Sequence, residues 1–192
     1  MWLVNEDLPR TVKVNDKEFA IRTDYRYWMQ FENILFDSGI ADEYKLYFMT
    51  SAVMKTPQNM KKELIEALFS FHRLNKPIKR GSKQSDIGYR YDYDIGLIYA
   101  AFYQQYHIDL FQTNLHWWKF KNLFDGLSDQ TKFMQVVGYR MADISKMDKE
   151  QKKRYTELKK FYALPVDKVQ DKSQEELEAK ILSKLKRGDA DC

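Results

Sequence analysis

Cysteine is nearly absent: the 192 residues hold one, Cys192. That excludes a disulfide framework and any cysteine-based zinc site within one chain, and it leads us to expect folding in a reducing compartment. Histidine is also scarce. His72, His107 and His116 are all there are, and no two stand at the i, i+4 spacing with which a helix offers paired metal ligands. Glycine and proline number 7 and 4, and they form no low-complexity block, phosphate-cradling loop, dinucleotide fingerprint or Gly-x-Ser-x-Gly elbow. Long apolar runs are missing too. Stretches such as Ile95–Tyr103, itself interrupted by Gly96, fall far short of the roughly 20 residues a membrane span requires. Met1–Asp7 carries no basic region ahead of an apolar run, so no secretory leader is expected.

Charge of one sign is in short supply as well. There are 32 Lys and Arg against 28 Asp and Glu, a net charge of +4. Nucleic-acid modules concentrate basic charge in a patch, and an excess this small does not argue for one. Tyr91-Asp92-Tyr93-Asp94 places two carboxylates close together, too few for a calcium loop and readily explained as helix caps. No nucleophile–base pair and no ligand cluster emerges. The sequence therefore predicts no hydrolase, transferase or metal-dependent activity and no cofactor.

Apolar material is plentiful. Hydrophobic residues make up 44% and aromatics 15%, enough for a packed core. Val12-Lys13-Val14 and Phe19-Ala20-Ile21 alternate in strand fashion around Asn15-Asp16-Lys17-Glu18. Pairing Val14 with Phe19 and Val12 with Ile21 keeps four apolar groups on one face, and this register is expected over a turn at Asn15-Asp16. A lone hairpin is marginal, so it must pack on something. From Thr23 the period becomes helical. Thr23-Asp24 caps a helix carrying Trp28, Phe31 and Leu35, with Gly39 as a left-handed stop. A second helix is expected over about Asp42–Met54. A third begins at Thr56-Pro57 and carries Met60, Leu64, Leu68 and Phe71. Asn75–Gly88 is a basic loop, read as solvated in preference to phosphate-binding. Further helices are expected from Asp92 or Asp94 through Tyr106, over Asn114–Asp125 closed by Gly126, from Ser128-Asp129, and from Asp148 to Ala163-Leu164-Pro165.

The fold expected is mainly α: a multi-helix domain over residues 1–165 with a small N-terminal β-hairpin. Residues 166–192 form a polar linker and a short amphipathic helix. In that helix Ser173-Gln174-Glu175-Glu176 is a capping box, and Leu177, Ile181 and Leu185 form an apolar stripe. The stripe needs cover, either from the chain's own body, from a second copy in a homo-oligomer, or from another protein; a frayed tail is the alternative. The Trp117-Trp118 pair poses a similar choice. Adjacent helical residues point about 100° apart, so Trp117 belongs with Phe120 and Phe124 in the core, while Trp118 either fills a helix–helix seam or anchors a partner. Trp118, Leu177, Ile181 and Leu185 are thus the candidate partner-binding residues. Arg140 and Asp143 could pair along one helix.

Several strings together resemble a known family. Val12-Lys13-Val14-Asn15-Asp16-Lys17-Glu18-Phe19-Ala20-Ile21-Arg22-Thr23-Asp24-Tyr25-Arg26 is one. Tyr91-Asp92-Tyr93-Asp94-Ile95-Gly96-Leu97-Ile98-Tyr99-Ala100-Ala101-Phe102 is a second. Tyr106–Leu110 with Leu115–Phe120, Gly138-Tyr139-Arg140 with Asp143-Ile144, and Tyr162–Pro165 complete the set. In order and spacing they resemble the tailed-phage gene-product-fifteen family over about Val12–Pro165. Many members carry Asn-Gly in the hairpin where this chain has Asn15-Asp16. The resemblance implies a gene of long-tailed phages and prophages of Gram-positive bacteria, between those for the major tail protein and the tape-measure protein. It implies a tail-assembly chaperone that coats the tape-measure protein in the host cytoplasm, aids tail-tube polymerisation and is absent from the finished virion. A structural component retained in the virion, or a small nucleic-acid-associated protein, are the other readings. The resemblance assigns no residue a chemical role.

Overall fold

Asn15 and Asp16 both adopt left-handed backbone conformations, with φ of 48° and 62°. Two consecutive positive φ values make the two-residue turn whose twist matches that of paired strands, and Asn and Asp tolerate it better than most residues. In the computed structural model, which describes residues 7–55, 61–77, 88–165 and 174–188, this turn joins β1 (Thr11–Val14) to β2 (Lys17–Ala20). The register sets Val12 opposite Phe19 and Val14 opposite Lys17, which corrects the pairing expected from the apolar pattern. The apolar face is not split, because Val12, Val14, Phe19 and Ile21 still share one side. Only Lys17 interrupts it, at the turn end, where it is exposed. The hairpin does not stand alone. Val12, Val14 and Ile21 join the core, β1 packs on the third helix, and Ile21 forms a bridge with Val53.

Helix α1 (Tyr25–Phe36) starts where Asp24 accepts a hydrogen bond from the Arg26 amide at 2.9 Å. Its end differs from expectation. Gly39 is not a left-handed cap; Asp37 is already extended, and the Lys45 ammonium, buried in α2 (Asp42–Thr50), donates to the Leu35 carbonyl at 2.9 Å. A cation at the carbonyl end does the work a glycine cap would do. Helix α2 stops four residues before Met54, because Val53 and Met54 turn to meet Ile21 and Ala20. Helix α3 spans Lys61–His72. The start signal Thr56-Pro57, Met60 and most of the basic loop (78–87) lie outside the described residues.

Helix α4 spans Tyr91–Tyr106 and begins at Arg90, whose amide donates to Asp94 at 3.0 Å. Helix α5 (Trp117–Asp125) starts later than expected. The chain leading into α5 pairs instead with the chain leading into α1: Asp24 and His116 form a bridge, Tyr25 N–H donates to the Leu115 carbonyl, and Trp117 N–H to the Thr23 carbonyl. The cap is His116. Helix α6 (Lys132–Met141) is capped by Thr131, not by Ser128-Asp129, and α7 (Lys149–Phe161) is capped by Asp148 as expected. Helix α8 spans Gln174–Gly188. The fold is therefore mainly α with one N-terminal hairpin.

Arg140 does not pair with Asp143, because α6 ends at Met141. Its guanidinium turns inward and grips both carboxylate oxygens of Asp94 at 2.7 and 2.9 Å. It also donates to the Gly88 and Tyr162 carbonyls at 3.0 and 2.6 Å. One side chain thus ties α4, α6, the chain before α4 and the end of α7. Asp94→Ala would strand a buried guanidinium and should lower stability by about 3–5 kcal/mol in denaturant unfolding. A loss below about 1 kcal/mol would show that the pair is not holding these elements.

The C-terminal stripe is covered by the chain's own body. Leu177 and Ile181 are buried in the same core as α3, Leu185 packs against it, and Glu178 pairs with Arg73. Lys180 and Lys184 reach Asp42 at 2.9 and 3.0 Å. Burial works to raise the Asp42 carboxyl, but the two ammoniums outweigh it and hold it below its ordinary value. A carboxyl so lowered stabilises above its ordinary range, and the contribution is lost as pH falls through the lowered value. Protection of α8 amides should therefore fall below about pH 4 before that of α1 or α5, and Asp42→Asn should loosen α8 selectively at pH 7. Equal loss of protection across all helices would contradict this.

Candidate functional site

Helix α4 has two apolar faces. Tyr91, Ile98, Ala101 and Phe102 are buried. The opposite face bears Tyr99, Ala100 and Tyr103, with Ile95 at its edge, all partly or largely exposed. A helix in a single core needs only the first set. Two of these residues, Ile95 and Tyr99, border a cavity of about 330 Å³ between α4, α1 and the turn after α4. Tyr25, Met29, Tyr91 and Leu110 form its floor, Ile95, Tyr99 and Phe111 one wall, and Arg26, Gln30, Asn33 and Asp92 its polar rim.

The turn that completes the wall is built by local chemistry. His107 takes a left-handed conformation at the end of α4, φ 53°, and its amide donates to the Tyr103 carbonyl at 3.1 Å. Asp109 accepts from the Phe111 amide at 2.9 Å, and the Tyr25 hydroxyl donates to the Leu110 carbonyl at 2.6 Å. These bonds hold the Phe111 ring 4.8 Å from Tyr99, with 73% of the residue exposed. Burial leaves the Tyr25 phenol raised above its ordinary value, so it stays a protonated donor.

The rim charges are spoken for. Arg26 pairs with Asp24 and Asn114, and Arg90 grips Asp92 at 2.5 and 2.9 Å. Burial works to raise Asp92, and Arg90 outweighs it and lowers it. What remains is an apolar groove edged by two amides, Gln30 and Asn33, which suits an apolar helix face and its backbone polar groups.

The three histidines have structural positions. His107 ends α4. The His116 ring caps α5: its Nδ1 accepts from the Trp118 amide at 3.0 Å, so its Nε2–H is the donor to the Pro9 carbonyl at 2.8 Å. Burial lowers its pKa, which keeps this neutral tautomer. His72 lies in the core, stacked on Trp117 at 5.2 Å, with Nε2 3.2 Å from a Glu32 oxygen. Burial works to raise Glu32, but His72, the Lys121 charge and the Tyr89 hydroxyl outweigh it and hold it low. Among the described residues, no three His, Cys, Asp or Glu groups are placed to hold a metal ion. No described helix is long and apolar enough to cross a membrane.

The residues singled out from sequence do not converge. Trp118 is 4% exposed and fills the seam between α3 and α5, its indole donating to the Phe71 carbonyl at 2.9 Å. Leu177, Ile181 and Leu185 face the body beneath α8. None lines the groove. The signal for the groove is in the string Ile95–Tyr103, where Tyr99, which lines it, falls on the side away from Ile98 and Ala101.

The family model described as Bacteriophage Gp15 protein matches residues 4–164, and the chain belongs to that family. The match contains the whole groove and excludes α8. No curated protein and no solved structure gives a match.

Surface and core aromatics should separate cleanly in thermal unfolding. Phe111→Ser is expected to change stability by less than about 0.5 kcal/mol, whereas Trp118→Ala should cost about 3–5 kcal/mol. A large loss for Phe111→Ser would mean that the turn, and with it the groove wall, is part of the core.

Proposed function

We propose that this member of the Bacteriophage Gp15 protein family is a tail-assembly chaperone that binds helical segments of the tape-measure protein in the groove between α1 and α4. The observation that carries the proposal is the second apolar face of α4, held open beside Phe111. The family match supports a phage role. The resemblance implies the tape-measure and major tail proteins as partners, and on this reading the work is done in the host cytoplasm before the tail is complete. The function is one of binding, with no reaction and no cofactor.

The energetics suit transient cover. Burying an exposed apolar side chain gains about 1.5–3 kcal/mol, so a few side chains entering the groove barely exceed the cost of association. Each copy then binds weakly. Many copies along one long client hold by repetition, and each can be displaced when tail-tube subunits close around the client.

Co-expression with the tape-measure protein of the same phage tests this. The wild-type chain should keep the client soluble and co-purify with it. Ile95→Asp/Phe111→Asp should remain folded, yet leave most of the client insoluble. Equal solubilisation by the variant would reject the groove as the binding site. Mass spectrometry of purified virions should find the chain absent; stoichiometric amounts would instead make it a retained structural component.

A further inference from the structure

Helix α7 carries six Lys and Arg against two Glu, an excess of four that equals the net charge of the whole chain. The two signs therefore balance over the rest of the chain. Of the residues in α7 none is fully buried. It rests on α6 through a narrow stripe: Tyr155 and Tyr162 lie 6.2 and 5.8 Å from Tyr139, and Lys132 sits over Tyr162 at 5.0 Å. The Arg140 bond to the Tyr162 carbonyl fixes the end of the helix. With that stripe turned inward, Lys149, Lys153 and Lys160 fall within about 40° of one another on the outward side and Lys152 lies on the flank beside them, an arc of about 100° in all and some 16 Å long. No ion pair among the described residues uses any of these four.

Like charges at i, i+4, such as Lys149 and Lys153, weaken a helix, so solubility alone does not account for the arrangement. We infer that the lysine arc of α7 is a second docking surface, distinct from the groove, for an acidic helical segment of a protein partner. Two features favour protein over nucleic acid. Glu150 and Glu157 run as a line beside the lysines, where they would repel a phosphate backbone but complement basic residues flanking an acidic stripe. Phe161, 79% exposed at the helix end, offers one apolar anchor and no series of stacking platforms for bases.

The test uses the full chain and two probes: a helical peptide with a glutamate stripe flanked by lysines, and a duplex DNA of similar length. Fluorescence anisotropy is read at low and high salt. The wild-type chain should bind the peptide, and Lys149→Glu/Lys153→Glu/Lys160→Glu should weaken it by about tenfold or more at low salt, with the difference shrinking at high salt. Glu150→Lys/Glu157→Lys should also weaken peptide binding. Circular dichroism confirms that both variants fold. No peptide binding by the wild-type chain, or unchanged binding by the lysine variant, overturns the inference. Tighter binding of DNA than of peptide, strengthened by Glu150→Lys/Glu157→Lys, overturns it in favour of a nucleic-acid surface. None of these outcomes depends on the groove or its client.

Discussion

The ring of Phe120 is stacked 4.7 Å from Tyr25 of α1, 5.1 Å from Phe102 of α4 and 5.9 Å from Trp117 of its own helix. Tyr91 and Phe124 close around it at 6.1 and 5.8 Å. Aromatic pairs of this kind contribute about 0.5–1.5 kcal/mol each beyond simple burial. More important is what they join. Helices α1 and α4 form the floor and wall of the groove, and both lean on Phe120 of α5. Tyr25 serves both sides: its ring packs on Phe120 and its hydroxyl holds the turn that carries Phe111. The groove is thus the outer surface of the core's most densely stacked region, and it is preformed.

Around that centre the remaining parts divide. Arg140 closes the far side, gathering α4, α6 and the end of α7 onto one guanidinium. The Asp42, Glu178 and Arg73 pairs fasten α8, a segment outside the family match, over α3. Apolar groups that a helix normally hides are left outside on α4, and the chain's excess charge is left outside on α7. Helix α4 is locked to the body by buried side chains, whereas α7 rests on a stripe of half-buried tyrosines and is fixed at its end by the Arg140 bond to the Tyr162 carbonyl.

Much of the fold was legible because local chemistry decided it. Asp24 and Asp148 cap the helices they were expected to cap, and the spacing of Trp28, Phe31 and Leu35 marks a buried face. The errors arose where a distant group took over a local role. Lys45 replaced Gly39 as the stop of α1, and Asp94, 46 residues away, replaced Asp143 as the partner of Arg140. The hairpin register failed for a different reason: the positive-φ tolerance of Asn15-Asp16 outweighed a perfect apolar match. The groove was half legible. The double-faced pattern of α4 is in the sequence, but the groove's floor depends on Tyr25 and Met29, more than sixty residues earlier, and the rest of its wall on a turn fixed by a tyrosine hydroxyl. Trp118 and the α8 stripe drew notice as apolar groups in search of cover, and each found it within the chain.

The most direct test of the account is a photo-crosslinking amino acid placed at Phe111 and, as a control of similar exposure on α2, at Tyr47. Both chains are co-expressed with the tape-measure protein and irradiated. Crosslinks to the tape-measure protein from position 111 and not from position 47 are the predicted result. Crosslinks from position 47 alone, or from neither, would contradict the claim that the groove between α1 and α4 holds the client.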